Sequence, residues 1–211
     1  MPTLLFQGDS ITDCGRERNT AELNSQRVYM GHGYAALAAA RIWFDHAREN
    51  WNIINRGISG NRVVDLYARW KIDAVNLNPD IISILIGVND TWHEIMNKNG
   101  VGVARYDEFL RRLLAWSKEA NPDVKLVLLE PFILPFGAVD ESWQEEISAR
   151  GEVVKKAAAD FGAVFIPLQE KFNALAEMTS MDYCLRDGVH PTPAGHQLIA
   201  DEWLKATAEL F

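Results

Sequence analysis

Five short apolar runs, Leu4–Gln7, Asn52–Asn55, Ile81–Ile86, Lys125–Leu129 and Ala163–Ile166, alternate with long amphipathic stretches. This alternation constrains the chain more than any other feature. Each run is too short to be a helix of ordinary length. Each is rich in Leu, Ile and Val, as strands are when both faces of their sheet are covered. Strands separated by helices pair in parallel through right-handed crossovers. The helical stretches are Tyr34–Phe44, Val64–Val75, Tyr106–Ala120, Ser142–Phe161 and Thr192–Leu210. Within the third, Phe109, Leu110, Leu113, Leu114 and Ser117 form a stripe at i, i+3, i+4 spacing. The last opens on Pro191-Thr192-Pro193, a capping residue followed by a proline. The expectation is a single α/β domain over residues 1–211. A chain of this length buries roughly 70% of its unfolded surface and needs neither a disulfide nor a metal to stay folded.

The least regular segments are Thr12–Gly33, Thr91–Arg105, Pro131–Glu141 and Met178–Pro191. Ligands of open α/β sheets bind beyond the carboxyl ends of the strands, so chemistry is expected there. Ser10 follows the first strand in Gly8-Asp9-Ser10, at a strand-to-loop turn. A helix-capping serine with Asp9 serving the turn is the alternative. Gly57-Ile58-Ser59-Gly60-Asn61 follows the second strand, where glycines can expose backbone N–H groups to a bound oxygen. Gly87-Val88-Asn89-Asp90 follows the third, and Asn89 can donate a side-chain amide into the same crevice. An ordinary turn explains either segment taken alone. Asp187 stands three residues before His190, close enough to fold back onto one imidazole nitrogen while the other faces a serine. Serine is a poor nucleophile without such a base, and the base needs an orienting acid. The coincidence of all four segments at one sheet edge points to acyl transfer.

These four segments, Gly8-Asp9-Ser10, Gly60-Asn61, Gly87-Val88-Asn89-Asp90 and Asp187-Gly188-Val189-His190, resemble the four blocks of the SGNH hydrolases, or GDSL esterases. They occur in the family's order and span nearly the whole chain. The resemblance implies a three-layer, flavodoxin-like α/β/α sandwich around a five-stranded parallel sheet. It implies Ser10 as nucleophile, His190 as base and Asp187 as its partner. It also implies Ser10 and Gly60 N–H groups and the Asn89 amide as oxyanion donors. The longer stretches Gly8-Asp9-Ser10-Ile11-Thr12-Asp13-Cys14-Gly15-Arg16 and Gly87-Val88-Asn89-Asp90-Thr91-Trp92 are similar to those of intracellular bacterial acetyl-xylooligosaccharide esterases. Acetylated xylo-oligosaccharides are therefore the expected substrates. A general short-chain esterase, lysophospholipase or thioesterase is the alternative within the family. A non-catalytic flavodoxin-like binding module lies outside it.

Composition narrows the partners. A formal net charge of −8 argues against nucleic acid and anionic membranes, which select basic patches. Nothing reads as a signal peptide or a bilayer-crossing run, which points to the cytoplasm. Cys14 and Cys184 read as reduced thiols, with a redox-sensitive bridge as the alternative because both flank the proposed catalytic loops. His93-Glu94 and the pair His190 and His196 lack the further ligands of a zinc site, and no dinucleotide fingerprint follows the first strand, so no cofactor or metal is expected. Among the seven tryptophans, Trp92 comes three residues after Asn89, where it would stack on a sugar ring or pack in the core. Arg16 and Arg186 flank the catalytic segments and suit substrate hydroxyls or surface ion pairs equally. The tryptophans and the apolar Leu210-Phe211 end suit a homo-oligomer interface, in keeping with assembly among relatives, or docking of the last helix on its own domain.

Overall fold

The computed structural model describes residues 1–18 and 30–211. Five parallel strands, β1 (Thr3–Gly8), β2 (Asn52–Asn55), β3 (Ile81–Leu85), β4 (Lys125–Leu129) and β5 (Val164–Ile166), form one sheet in the order β2-β1-β3-β4-β5. The chain steps outward from β1 to β2, then crosses back to build the rest on the other side of β1. The reversal makes the carboxyl ends of β1 and β3 a topological switch point, where such folds bind ligands. The register pairs Gly8 with Leu85, which brings the ends of β1 and β3 level, and Phe6 with Asn55, so that β2 ends two residues earlier.

The helices are α1 (Ser10–Asp13), α2 (Tyr34–Asp45), α3 (Val63–Asp73), α4 (Val88–Asn97), α5 (Val103–Ala120), α6 (Gln144–Phe161), α7 (Gln169–Met178), α8 (Met181–Cys184) and α9 (Pro193–Ala206). Strand alternation divides the core. Leu4, Phe6, Ile81, Leu85, Val127 and Ile166 face α2, α7 and α9, whereas Leu5, Ile54, Ile82, Ile84, Leu126 and Leu128 face α3, α5 and α6. Two buried indoles satisfy their N–H groups across this packing: Trp203 donates to Ser83 Oγ at 2.9 Å and Trp70 to Ser117 Oγ at 3.1 Å. The result is a three-layer α/β/α sandwich.

Five stretches differ from the sequence reading. Thr91–Asn97, expected to be irregular, is the body of α4. Asn and Asp in Gly87-Val88-Asn89-Asp90 carry turn chemistry, but here the helix begins at once after Gly87 and ends on Lys98 in the left-handed region. Helix α7 was not expected: its apolar stripe, Phe172, Leu175 and Ala176, is only one turn long, and of these only Phe172 is fully buried. Helices α1 and α8, each of four residues, lie in segments read as turn and loop. The expected Thr192–Leu210 helix ends at Ala206 and continues as a 3-10 turn, Ala208–Leu210. Phe211 then packs on Trp51 with ring centroids 4.8 Å apart and on Trp203 at 6.1 Å, so the apolar C-terminus docks on its own domain.

Candidate active site

Asp9, not Ser10, caps the short helix after β1: its carboxylate accepts from Ile11 N at 3.0 Å. Ser10 is thus the first helical residue, held at the switch point with its hydroxyl free of the turn. That hydroxyl lies 2.9 Å from His190 Nε2. The other ring nitrogen, Nδ1, lies 2.7 Å from Asp187 Oδ2. Residues 180 positions apart are brought into one hydrogen-bonded row, Ser10, His190, Asp187.

The turn carrying His190 is rigid for local reasons. Asp187 Oδ1 accepts from the backbone N–H groups of His190 at 2.9 Å and Val189 at 3.1 Å. Gly188 has φ +92°, and a Cβ there would stand 2.5 Å from Phe136 O. The turn therefore sits directly on the loop after β4, where Leu134 N donates to Gly188 O at 2.9 Å and Ala138 N to Asp187 O at 3.0 Å. Burial pushes the Asp187 carboxyl up, but the donors of His190 and Val189 outweigh it and leave the pKa below the usual carboxylate range. Asp187 thus stays charged and acceptor-only at neutral pH. It fixes the Nδ1–H tautomer and leaves Nε2 to accept from Ser10.

The loop after β2 carries Gly60, whose φ of +84° any other residue would find strained, and whose missing side chain would face open space. The loop is tied on every side. Asp13, 2% exposed, accepts from Ser59 N at 2.9 Å and Ser59 Oγ at 2.7 Å, and also pairs with Arg18. Asn55 accepts from Gly57 N at 2.9 Å, and Arg69 Nε donates to Asn61 Oδ1 at 2.7 Å. Gly57 packs so closely on α1 that a Cβ would lie 2.4 Å from Asp13 N. Asp13 and Arg69 were given no role by the sequence reading, although Asp13 stands inside its longest matching stretch. A carboxylate three residues past a serine signals nothing until the second loop is seen against it.

Asn89 lies in the first turn of α4 and is 8% exposed. Its Nδ2 donates to Asn61 O at 3.1 Å. One amide hydrogen so engaged fixes the orientation of the group and leaves the second available. The neighbouring Asp90 is fully buried and accepts from Val63 N at 3.2 Å; burial, opposed by that donor and by Arg150, raises its pKa to about 8. Asp9 is likewise pushed by burial to about 7.

The remaining sequence candidates fall in different places. Trp92 meets His190 edge to face, centroids 6.0 Å apart, and is backed by Trp143 at 5.3 Å. Arg16 Nε donates to Gly57 O at 2.6 Å and so braces the β2 loop rather than the cleft. Arg186 lines a cleft of about 260 Å³ together with Ser10, Cys14, His32, His190 and His196. A larger cleft of about 440 Å³ lies between α2 and α9, away from Ser10. Both cysteines are free thiols. Cys14 Sγ is 3.2 Å from His196 Nε2, and Cys184 donates to Ser180 O at 3.2 Å. His196 Nδ1 accepts from Tyr34 N at 3.1 Å, so its Nε2 carries the hydrogen and donates to the Cys14 sulfur. Burial, with a smaller contribution from the neighbouring Arg186, lowers the His196 pKa to about 4, while burial raises that of Cys14. A neutral donor beside a raised thiol does not make a thiolate nucleophile. Among the described residues no group of three His, Cys, Asp or Glu side chains could hold a metal ion, and no helix is long and apolar enough to cross a membrane.

Known proteins share this arrangement of sequence and fold. The GDSL-like Lipase/Acylhydrolase family matches residues 6–198. An acetylxylan esterase of Geobacillus stearothermophilus is 35% identical over 207 residues, 96% of this chain and 92% of that protein. A crystal structure of an acetylxylan esterase from the same organism superposes with a TM-score of 0.87 at 32% identity, covering 97% of this chain and 93% of that one. A Parabacteroides merdae protein assigned as a GDSL-like lipase superposes with a TM-score of 0.94 at 40% identity, over 98% of this chain and 95% of that one. The chain belongs to the GDSL-like Lipase/Acylhydrolase family and is a carboxylic ester hydrolase.

Proposed function

We propose that the chain is a serine esterase that removes short acyl groups, foremost acetyl, from carbohydrates, with acetylated xylo-oligosaccharides as its substrates. The observation that carries the mechanism is the 2.9 Å contact between Ser10 Oγ and His190 Nε2, continued at 2.7 Å from His190 Nδ1 to Asp187. His190 takes the Ser10 proton as the oxygen attacks the ester carbonyl. The imidazolium that forms is stabilised by the Asp187 carboxylate. The oxyanion is held by the Ser10 and Gly60 N–H groups and the free amide hydrogen of Asn89. These donors meet a charge that exists only in the transition state, so they lower the barrier rather than tighten substrate binding. His190 then protonates the departing sugar hydroxyl. The same nitrogen next accepts a proton from water, which attacks the acyl-serine, and returns that proton to Ser10 Oγ as the acid is released.

Two observations support the substrate. The cleft of about 260 Å³ lies below the 300–1,000 Å³ of sites that enclose drug-sized ligands, which suits a small acyl group. Relatives at 35% and 32% identity are acetylxylan esterases. The test is a rate panel of acetylated xylobiose, 4-nitrophenyl acetate, longer acyl esters and acyl-CoA, with Ser10→Ala as control. Mass spectrometry after an organophosphate reagent should find the adduct on Ser10. Acetylated xylobiose should be turned over with the highest kcat/KM. Labelling elsewhere, or activity in Ser10→Ala, defeats the mechanism; a preference for long acyl chains or thioesters defeats the substrate.

A further inference from the structure

The cleft beside Ser10 has a charge character opposite to that of the chain. The sequence holds 29 acidic and 21 basic side chains. Among the described residues the cleft is lined by one guanidinium, Arg186, by three imidazoles, His32, His190 and His196, and by no carboxylate. Arg186 is also held in register with the reacting atoms. Its backbone N donates to His190 O at 2.8 Å, inside a small antiparallel bridge that pairs Leu185 with Pro191. Its backbone is thereby tied directly to that of His190. The side chain itself is exposed and makes no hydrogen bond or ion pair with any described residue. Other arginines of the chain, such as Arg62, Arg69 and Arg111, are each paired with an aspartate.

Resting on the reading of Ser10 as nucleophile, we infer that this cleft binds a carboxylate carried by the ester substrate, with Arg186 as its ion-pair partner and His32 at its side. The guanidinium offers a planar fork that matches a carboxylate with two parallel hydrogen bonds. His196 does not compete for this role. Its two nitrogens are spent on Tyr34 N and Cys14 Sγ, and burial suppresses its protonation. Nor is the cleft built for thiol chemistry, since Cys14 remains a protonated thiol. What is left facing the space is the Arg186 guanidinium, without a side-chain partner among the described residues. A neutral acetylated sugar makes no use of that charge, whereas an acidic one, or a dicarboxylic half-ester, does.

The carboxylate has two sources, the alcohol or the acyl side of the ester, and two substrate pairs separate them. On the alcohol side, 3-carboxy-4-nitrophenyl acetate is compared with 4-nitrophenyl acetate. On the acyl side, the mono-4-nitrophenyl ester of glutaric acid is compared with 4-nitrophenyl butyrate, with spontaneous hydrolysis subtracted. In the wild-type enzyme one acidic ester should exceed its neutral counterpart in kcat/KM by about tenfold, the scale of one partly exposed charge-assisted pair. That ratio should fall to about one in Arg186→Gln, survive in part in Arg186→Lys, and shrink as salt is raised. A wild-type ratio near one on both sides overturns the inference, as does a ratio that persists in Arg186→Gln. Failure of the serine mechanism looks different: turnover of the neutral esters would then survive Ser10→Ala.

Discussion

The carboxylate of Asp13 accepts two hydrogen bonds from Ser59, from its N–H at 2.9 Å and its hydroxyl at 2.7 Å. Asp13 ends the four-residue helix that Ser10 begins, and Ser59 precedes Gly60. The proposed nucleophile and the proposed oxyanion donor are therefore joined through one buried side chain. Asp13→Ala should lower kcat by about ten- to hundredfold with little change in KM, less than the about 10²–10³ lost when an oxyanion donor is deleted outright. Asp13→Asn keeps one acceptor oxygen for Ser59 N and should recover part of the loss. Steady-state kinetics on 4-nitrophenyl acetate, with a thermal melt to show that the variants fold, checks this. A raised KM with unchanged kcat would place Asp13 in ground-state binding instead.

Asn89 has one amide hydrogen committed to Asn61 O at 3.1 Å. Asn89→Ala removes the other from the oxyanion and should cost about 10²–10³ in kcat. Asn89→Asp should be at least as slow, because it sets a negative charge where negative charge develops. Wild-type turnover in either variant would take Asn89 out of the site.

Trp92 offers an edge-to-face contact to the His190 ring, not a free face to the cleft. An aromatic pair of this kind contributes about 0.5–1.5 kcal/mol. Trp92→Ala should thus lower kcat about two- to tenfold on every ester, and Trp92→Phe should restore most of it. If the indole instead stacked on sugar, KM for acetylated xylobiose would rise while 4-nitrophenyl acetate was unaffected.

His196 is 3% exposed and its pKa falls from 6.5 to about 4 on folding, chiefly through burial. As pH drops, the unfolded chain binds the proton first. The stability this group contributes is complete above about pH 6.5 and is lost on the way down to about pH 4, by roughly 3 kcal/mol. Asp9 and Asp90, whose folded pKa values are raised, act with the opposite sign over the same range. The difference between wild type and His196→Gln therefore carries the signal, not the wild-type curve. Urea unfolding at pH 7 and pH 4.5 should show the wild type losing more stability than the variant. Parallel losses would mean that His196 does not titrate in this range.

The strand runs were legible to within a residue or two, because a parallel strand buried on both faces must be apolar along its length; Asn52–Asn55 and Lys125–Leu129 match fully. Helix α7 was not, since its stripe of Phe172, Leu175 and Ala176 is a single turn long, and so short a pattern is helical only through packing on its neighbours. Ser10, Asp187 and His190 stood out because four segments, each ordinary alone, coincide at one sheet edge in the order of a known family's blocks. Asp13, Asn55 and Arg69 did not, because any aspartate, asparagine or arginine makes hydrogen bonds, and only the partner reveals the purpose.

By itself the sequence determined the layered α/β class and named the residues able to do ester chemistry, since both follow from local pattern and side-chain type. The tertiary structure alone decided which hydrogen bonds the polar groups make. It sent Arg16 to the Gly57 carbonyl, turned Trp92 toward His190, gave Cys14 to His196 rather than to Cys184, and left Arg186 facing the cleft. The physical reason is that these contacts span tens to hundreds of residues, and their energies depend on distance and burial, neither of which exists until the sheet has brought the loop ends together.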